Sequence, residues 1–236
     1  RINREFKLYY EYSLREFNAP KLREIGRYIE IQNNNLEKFL LPKLESIQRG
    51  GFIRFNENLN ELNLKSYQGG DFSRTAYIEI RENNSLLTLN LENFYTTRNY
   101  DGYTGALRIF DNKNLKSINF NTNLDLESSI EIYNNLSLEE INFTSLTNVS
   151  TGSININRNQ NLKKINFNSL VSSRSSKEFI YWTEPEIYIY SCEKLEEINA
   201  PTLENFYRFS VQNNQTFSEL ELPELTTIYN NLNIEN

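Results

Sequence analysis

Thirty-one carboxylates, one thiol and no imidazole define the chemistry open to this chain. Without histidine the commonest general base near neutral pH is missing, and so is the commonest metal ligand. Ser-His and Cys-His nucleophilic catalysis are excluded, as are zinc sites of the usual nitrogen–sulfur kind. The single cysteine, Cys192, excludes an internal disulfide. Carboxylate chemistry survives. Glu139-Glu140, Glu196-Glu197 and Glu219 with Glu221 recur as pairs, and two carboxyl groups across a cleft are what glycoside hydrolysis requires. These pairs lie between apolar positions, on a face expected to meet water. The chain carries no D-x-D-x-D-G calcium loop.

A second set of residues suits recognition rather than reaction. Tyr67, Phe72, Phe94, Tyr95, Tyr100, Tyr103, Phe179, Tyr181 and the only tryptophan, Trp182, fall in three stretches: Ser66 to Thr75, Asn93 to Gly105 and Val171 to Pro185. Arg74, Arg98, Asp101 and Arg174 accompany them. Aromatic rings with Arg are the residues that dominate binding hot spots. A flat ring also covers the apolar face of a pyranose. The competing reading is that these rings only anchor long loops.

What positions these residues is a repeat. Ten apolar pairs run along the chain: Phe6/Leu8, Ile29/Ile31, Ile53/Phe55, Ile78/Ile80, Leu107/Ile109, Ile130/Ile132, Ile154/Ile156, Ile187/Ile189, Phe209/Val211 and Leu232/Ile234. Their first members are 22 to 33 residues apart. A period-2 apolar pair is a strand with one buried face, and a fixed period of this length means a solenoid. A second block follows each pair, as in Leu115-x-x-Ile118-x-Phe120, Leu138-x-x-Ile141-x-Phe143 and Leu162-x-x-Ile165-x-Phe167. Several coils close with Pro-x-Leu-x-x-apolar, as in Pro42/Leu44/Ile47 and Pro201/Leu203/Phe206. No coil buries its apolar side chains alone, so stacked neighbours must share one core. At roughly 4.8 Å per strand the rod is about 45 Å long. Helical periodicity is absent after residue 27, so the convex side should be strand and turn.

Two columns of the repeat have predicted roles. The sixth position holds Asn34, Asn58, Asn83, Asn112, Asn135, Asn159, Cys192 and Asn214, with Glu11 in the first coil. An inward Asn bonds turn backbone with both its carbonyl and its amide. This slot gives Cys192 a structural role. It also turns inward three of the five N-x-S/T sequons (Asn83, Asn135 and Asn214, but not Asn142 and Asn148). The middle residue of each pair reads Lys7, Glu30, Arg54, Glu79, Arg108, Glu131, then Asn155, Tyr188, Ser210 and Asn233. The first six alternate in sign and should hold register as an ion ladder on adjacent strands. Beyond Glu131 the outward face carries Tyr133, Tyr188 and Tyr190, with Tyr77 and Phe110 on earlier coils.

With its I-x-I-x-x-N-x-x-L-x-x-I-x-F coils, the chain resembles leucine-rich-repeat surface proteins of the receptor L-domain type. It has the bacterial form, without the paired cysteines of animal receptors. The resemblance covers nearly all 236 residues. It implies a mainly β, right-handed β-solenoid of about ten coils of 22–33 residues, forming one domain over residues 1–236.

Composition narrows the class further. Net charge is −6 and no basic cluster occurs, so nucleic acid is not an expected partner. No stretch of 18 apolar residues exists, so no transmembrane segment is expected. The chain has no Met, which fits a mature or trimmed piece of a longer surface protein with flanking domains. Its Asn-, Ile-, Lys- and Glu-heavy composition suits a low-GC bacterium, and the expected location is secreted or on the outer cell surface.

The functional expectation is a non-enzymatic binding or adhesion module for a protein or glycan, with no cofactor, metal or catalytic residue. Insertions at one stage of a solenoid project from one edge, so the ligand site is placed on that edge at Tyr95, Tyr100, Tyr103, Tyr181 and Trp182. It extends onto the sheet at Tyr188 and Tyr190. The alternatives are a polysaccharide lyase-like β-helix enzyme built on Arg98, Asp101 and Tyr103, and a purely architectural spacer.

Overall fold

The computed structural model describes residues 1–67, 77–91, 106–121, 125–126, 129–150, 152–173 and 184–236. Among them every regular element is a strand, and no helix is long and apolar enough to cross a membrane. The chain winds as a parallel β-solenoid. Its main side stacks ten strands, one per coil: Phe6–Tyr9, Ile29–Gln32, Gly50–Arg54, Tyr77–Arg81, Ala106–Phe110, Ser129–Tyr133, Ser153–Asn157, Glu186–Tyr190, Asn205–Gln212 and Thr227–Glu235. They are numbered here as coils 1 to 10. The first and last are end rungs, so eight coils have a neighbour on both sides.

A second side stacks nine strands, from Glu16–Asn18 to Glu219–Glu221. A third side carries two-residue strands such as Ser46–Ile47 and Asn148–Val149. The apolar pairs and second blocks point between these sides. Ile109, Ile132, Ile156, Leu115, Ile118, Leu138 and Ile141 are wholly buried. Phe120, Phe143 and Phe167 stack face to face at 4.7 and 4.9 Å, close to the strand spacing, so one ring repeats per coil. The end rungs are poorer: Phe6, Leu8 and Leu232 are only partly buried, and Ile234 is exposed.

The Asn column forms a buried spine. In coils 2 to 7 and 9 the Asn carbonyl accepts the backbone N–H of the equivalent residue one coil earlier, as from Asn83 to Asn112 at 3.1 Å, from Asn112 to Asn135 at 3.1 Å and from Asn135 to Asn159 at 3.0 Å. The amide donates to a strand carbonyl of the preceding coil, as from Asn112 to Ile80 and from Asn135 to Ile109, both at 2.9 Å. Asn83, Asn135 and Asn214 are fully buried, so three sequons are committed to the interior. The residue before each spine position is left-handed in nine coils, with φ between 53° and 56°, and none of the nine is Gly: Tyr10, Asn33, Phe55, Glu82, Asp111, Asn134, Arg158, Ser191 and Asn213. That conformation turns the corner that sends the next side chain inward, at a cost of about 1 kcal/mol or more for a residue with a Cβ.

Coil 3 corrects the sequence reading by two residues. Ile53 lies beside Ile31 and Ile80, and Gly51 lies beside Ile29 and Ile78. The pair is therefore Gly51/Ile53, not Ile53/Phe55, and the spine residue is Asn56. Asn58 is exposed and donates to Asn35 Oδ1 at 3.3 Å. The cause is a close approach: a Cβ on Gly51 would stand 1.8 Å from the Ile29 carbonyl oxygen. The slot that holds Ile in neighbouring coils must be empty here, which hides it from an apolar pattern. The charge ladder changes with it. Phe52, not Arg54, stands between Glu30 and Glu79, and the alternation is broken at coil 3. Arg54 belongs to the next column, where its Nε donates to Gln32 Oε1 at 3.0 Å.

Candidate functional site

The outward face of the main sheet divides into three zones. At the first coils Lys7 pairs with Glu30 at 3.4 Å. Across coils 3 to 6, Arg and aromatic side chains interleave. Arg54 lies 3.8 Å over the Phe52 ring, Arg81 lies 4.6 Å over Phe55, and Arg108 lies 5.2 Å over Tyr77. Each cation is also paired with a carboxylate or an amide: Arg108 with Glu131 at 3.1 Å, Arg81 with Glu79 at 3.4 Å, and Arg54 with Gln32. Phe110 and Tyr133 close this zone with rings 4.5 Å apart and 10° from parallel.

From coil 7 onward the two central outward columns lose formal charge up to coil 9. They read Asn155 and Asn157, then Tyr188 and Tyr190, then Ser210 and Gln212. Tyr188 and Tyr190 project two residues apart from one strand, with ring centroids 5.9 Å apart and planes 9° from parallel. Tyr188 Oη donates to Gln212 Oε1 at 3.4 Å, and Asn157 Nδ2 donates to Asn155 Oδ1 at 2.8 Å. Burial holds the Tyr188 phenol above its ordinary pKa, with Tyr190 and Glu186 adding to it. Burial also raises that of Tyr133, opposed by Arg108. Both stay protonated donors at neutral pH.

No protein-family model, curated protein or solved structure matches the chain.

Tyr188 and Tyr190 stand where the sequence places them, side by side on the outer face. Tyr95, Tyr100, Tyr103, Tyr181 and Trp182 lie outside the described residues, as do Arg98 and Asp101. The amides beside the tyrosines escaped sequence reading because Asn is everywhere in this chain. Only the strand register singles out Asn155 and Asn157. Phe52 and Phe55 were missed through the coil 3 shift.

The other candidate groups lie elsewhere in the fold. The carboxylate pairs sit on the second side, where Glu140, Lys164, Glu197 and Glu219 are successive register neighbours and Lys164 Nζ lies 2.7 Å from Glu197 Oε1. Lys163 lies 3.4 Å from Glu139. Among the described residues no three of the Cys, Asp and Glu side chains gather as a metal site would need. Cys192 is fully buried in the spine, and burial pushes its thiol up to about 12 against opposing hydrogen bonds from Asn159.

Proposed function

We propose that this chain is a non-enzymatic binding module of the leucine-rich-repeat, receptor L-domain-like kind, secreted or held at a cell surface, where it captures a protein or glycan ligand. The observation that carries the reading is the pair of uncharged central columns on the outward face of coils 7 to 9. In those two columns two parallel tyrosines and a set of amides stand where the earlier coils carry ion pairs. Rigid aromatic groups lose little conformational entropy on binding, and amides supply directional hydrogen bonds. The strands beneath are fixed by neighbours on both sides, so the surface is preorganised.

The test is a binding screen of the chain against immobilised glycans and cell-surface protein extracts, repeated with Tyr188→Ala/Tyr190→Ala. The expected result is at least one ligand lost by the double variant while its thermal melt is unchanged. Binding that survives the double substitution would refute this site. Turnover of any polysaccharide in the same panel would refute the non-enzymatic reading.

A further inference from the structure

Within that binding face, coil 7 is a step down between two taller rows. Tyr133 of coil 6, Asn157 of coil 7 and Tyr190 of coil 8 are direct register neighbours. Beside them Glu131, Asn155 and Tyr188 form the next column. The Phe110 ring lies flat against one face of Tyr133, at 4.5 Å along the rod. The opposite face of Tyr133 therefore looks out over the short Asn157 side chain. Two strand spacings separate coils 6 and 8, so the two tyrosine rows stand about 9.6 Å apart.

That width selects an occupant. A flat aromatic guest touching both walls would need about 7.4 Å, twice a carbon–carbon contact of roughly 3.7 Å, and would rattle. A puckered sugar ring, with hydrogens on both faces, is thicker. The floor is suited to hydroxyl groups. Asn157 spends one amide proton on Asn155 Oδ1. Among the described residues this leaves the Asn157 carbonyl and the Asn155 amide protons facing outward, an acceptor and a donor side by side. The carboxylate in register with Asn155, Glu131, is paired with Arg108, and Glu186 lies 3.7 Å from Arg208. Arg158, exposed on the corner after Asn157, has no ion pair among the described residues, but it lies outside the two columns that form the slot.

We infer that the slot across coil 7 takes one pyranose ring of a neutral glycan, stacked on the free face of Tyr133, hydrogen-bonded by Asn155 and Asn157, and walled by Tyr190. This rests on the binding-module reading above and adds to it the ligand class and the residues that grip it.

Affinity electrophoresis through gels containing neutral glucans, galactans, mannans or xylans, with a polyuronate gel as the charged comparison, tests it. Wild type should be retarded by at least one neutral polymer. Tyr133→Ala and Asn157→Ala should each weaken that retardation about tenfold or more. Tyr133→Leu, which keeps the cover over Phe110 but removes the ring face, should behave like Tyr133→Ala, with circular dichroism confirming the fold. Tyr10→Ala, on the exposed first coil, should change nothing. If Tyr188→Ala/Tyr190→Ala abolishes binding while the Tyr133 and Asn157 variants retain it, the slot is wrong and the binding face stands. Retardation by the polyuronate alone, or by no polymer, would overturn the choice of a neutral glycan. If Tyr10→Ala matched the loss in the slot variants, the effect would not be local and the slot would fall.

Discussion

Replacing Cys192 with Asn should stabilise this protein. At every other interior coil the spine residue accepts one backbone N–H and donates to a carbonyl of the preceding coil, and at coils 3, 5, 6, 7 and 9 it donates to one of its own strand as well. At coil 8 the thiol replaces that set. Its Sγ lies 3.7 Å from the Tyr190 carbonyl oxygen, and the Asn159 N–H that would meet an amide carbonyl meets sulfur instead. The neighbouring steps show what an Asn would regain: a bond of the 3.0 Å kind from Asn135 to Asn159, one of the 2.9 Å kind from Asn159 to the Ile132 carbonyl, and one of the 3.1 Å kind from Asn159 to the Asn157 carbonyl. At about 1 kcal/mol net each, less the cost of burying a new amide, the gain is roughly 1–3 kcal/mol. For a chain of this size that raises Tm by about 2–12 °C. Thermal melts of wild type, Cys192→Asn and Cys192→Ala at pH 7 would measure it. An Asn variant no more stable than the Ala variant would refute the account of the spine.

Other consequences of the fold are open to measurement. Asn56→Ala should cost about 2–5 kcal/mol by orphaning the Asn34 N–H and the Ile31 carbonyl, whereas Asn58→Ala should cost under about 0.5 kcal/mol. Urea titration of the two variants decides the coil 3 register. Ser191→Gly should stabilise by about 0.5–1 kcal/mol, because φ is 53° there and glycine relieves the strain; a loss of stability on the same titration would contradict it. The Cys192 thiol should resist a disulfide reagent at pH 8 until denaturant is added. Its folded pKa, raised from 9.0 to about 12, means its protonated form adds stability that is present below pH 9. That contribution is lost as pH rises toward 12, so the stability gap between wild type and Cys192→Asn should widen in that window.

The solenoid was readable because its determinants are side-chain types at fixed spacing: Ile130/Ile132, Leu138, Ile141 and Phe143 recur with little variation. Coil 3 was misread for a physical reason. Gly51 marks its slot by having no side chain, while Phe55, at the left-handed corner, imitates a pair member. The corner column itself could not be read, since Tyr, Phe, Glu, Asp, Arg, Ser and Asn all occupy it. Stacking imposes that backbone conformation, not the preference of any one residue. In the site, Tyr188 and Tyr190 were visible as outward aromatics. The relation of Tyr133, Asn157 and Tyr190 exists only once three strands, drawn from residues 129 to 190, lie side by side.

The thiol in the spine also has a mechanical meaning. Through the interior coils, Asn side-chain carbonyls lace each coil to the next, except between coils 7 and 8, where Asn159 meets the Cys192 sulfur, a weaker acceptor. Under tension along the rod, that seam is where the interior of the stack should part first. The same seam carries Asn157 on one lip and Tyr190 on the other. A guest gripped by both would act as a stitch across the weakest interior joint, so occupancy would be felt as resistance to pulling as well as a gain in thermal stability.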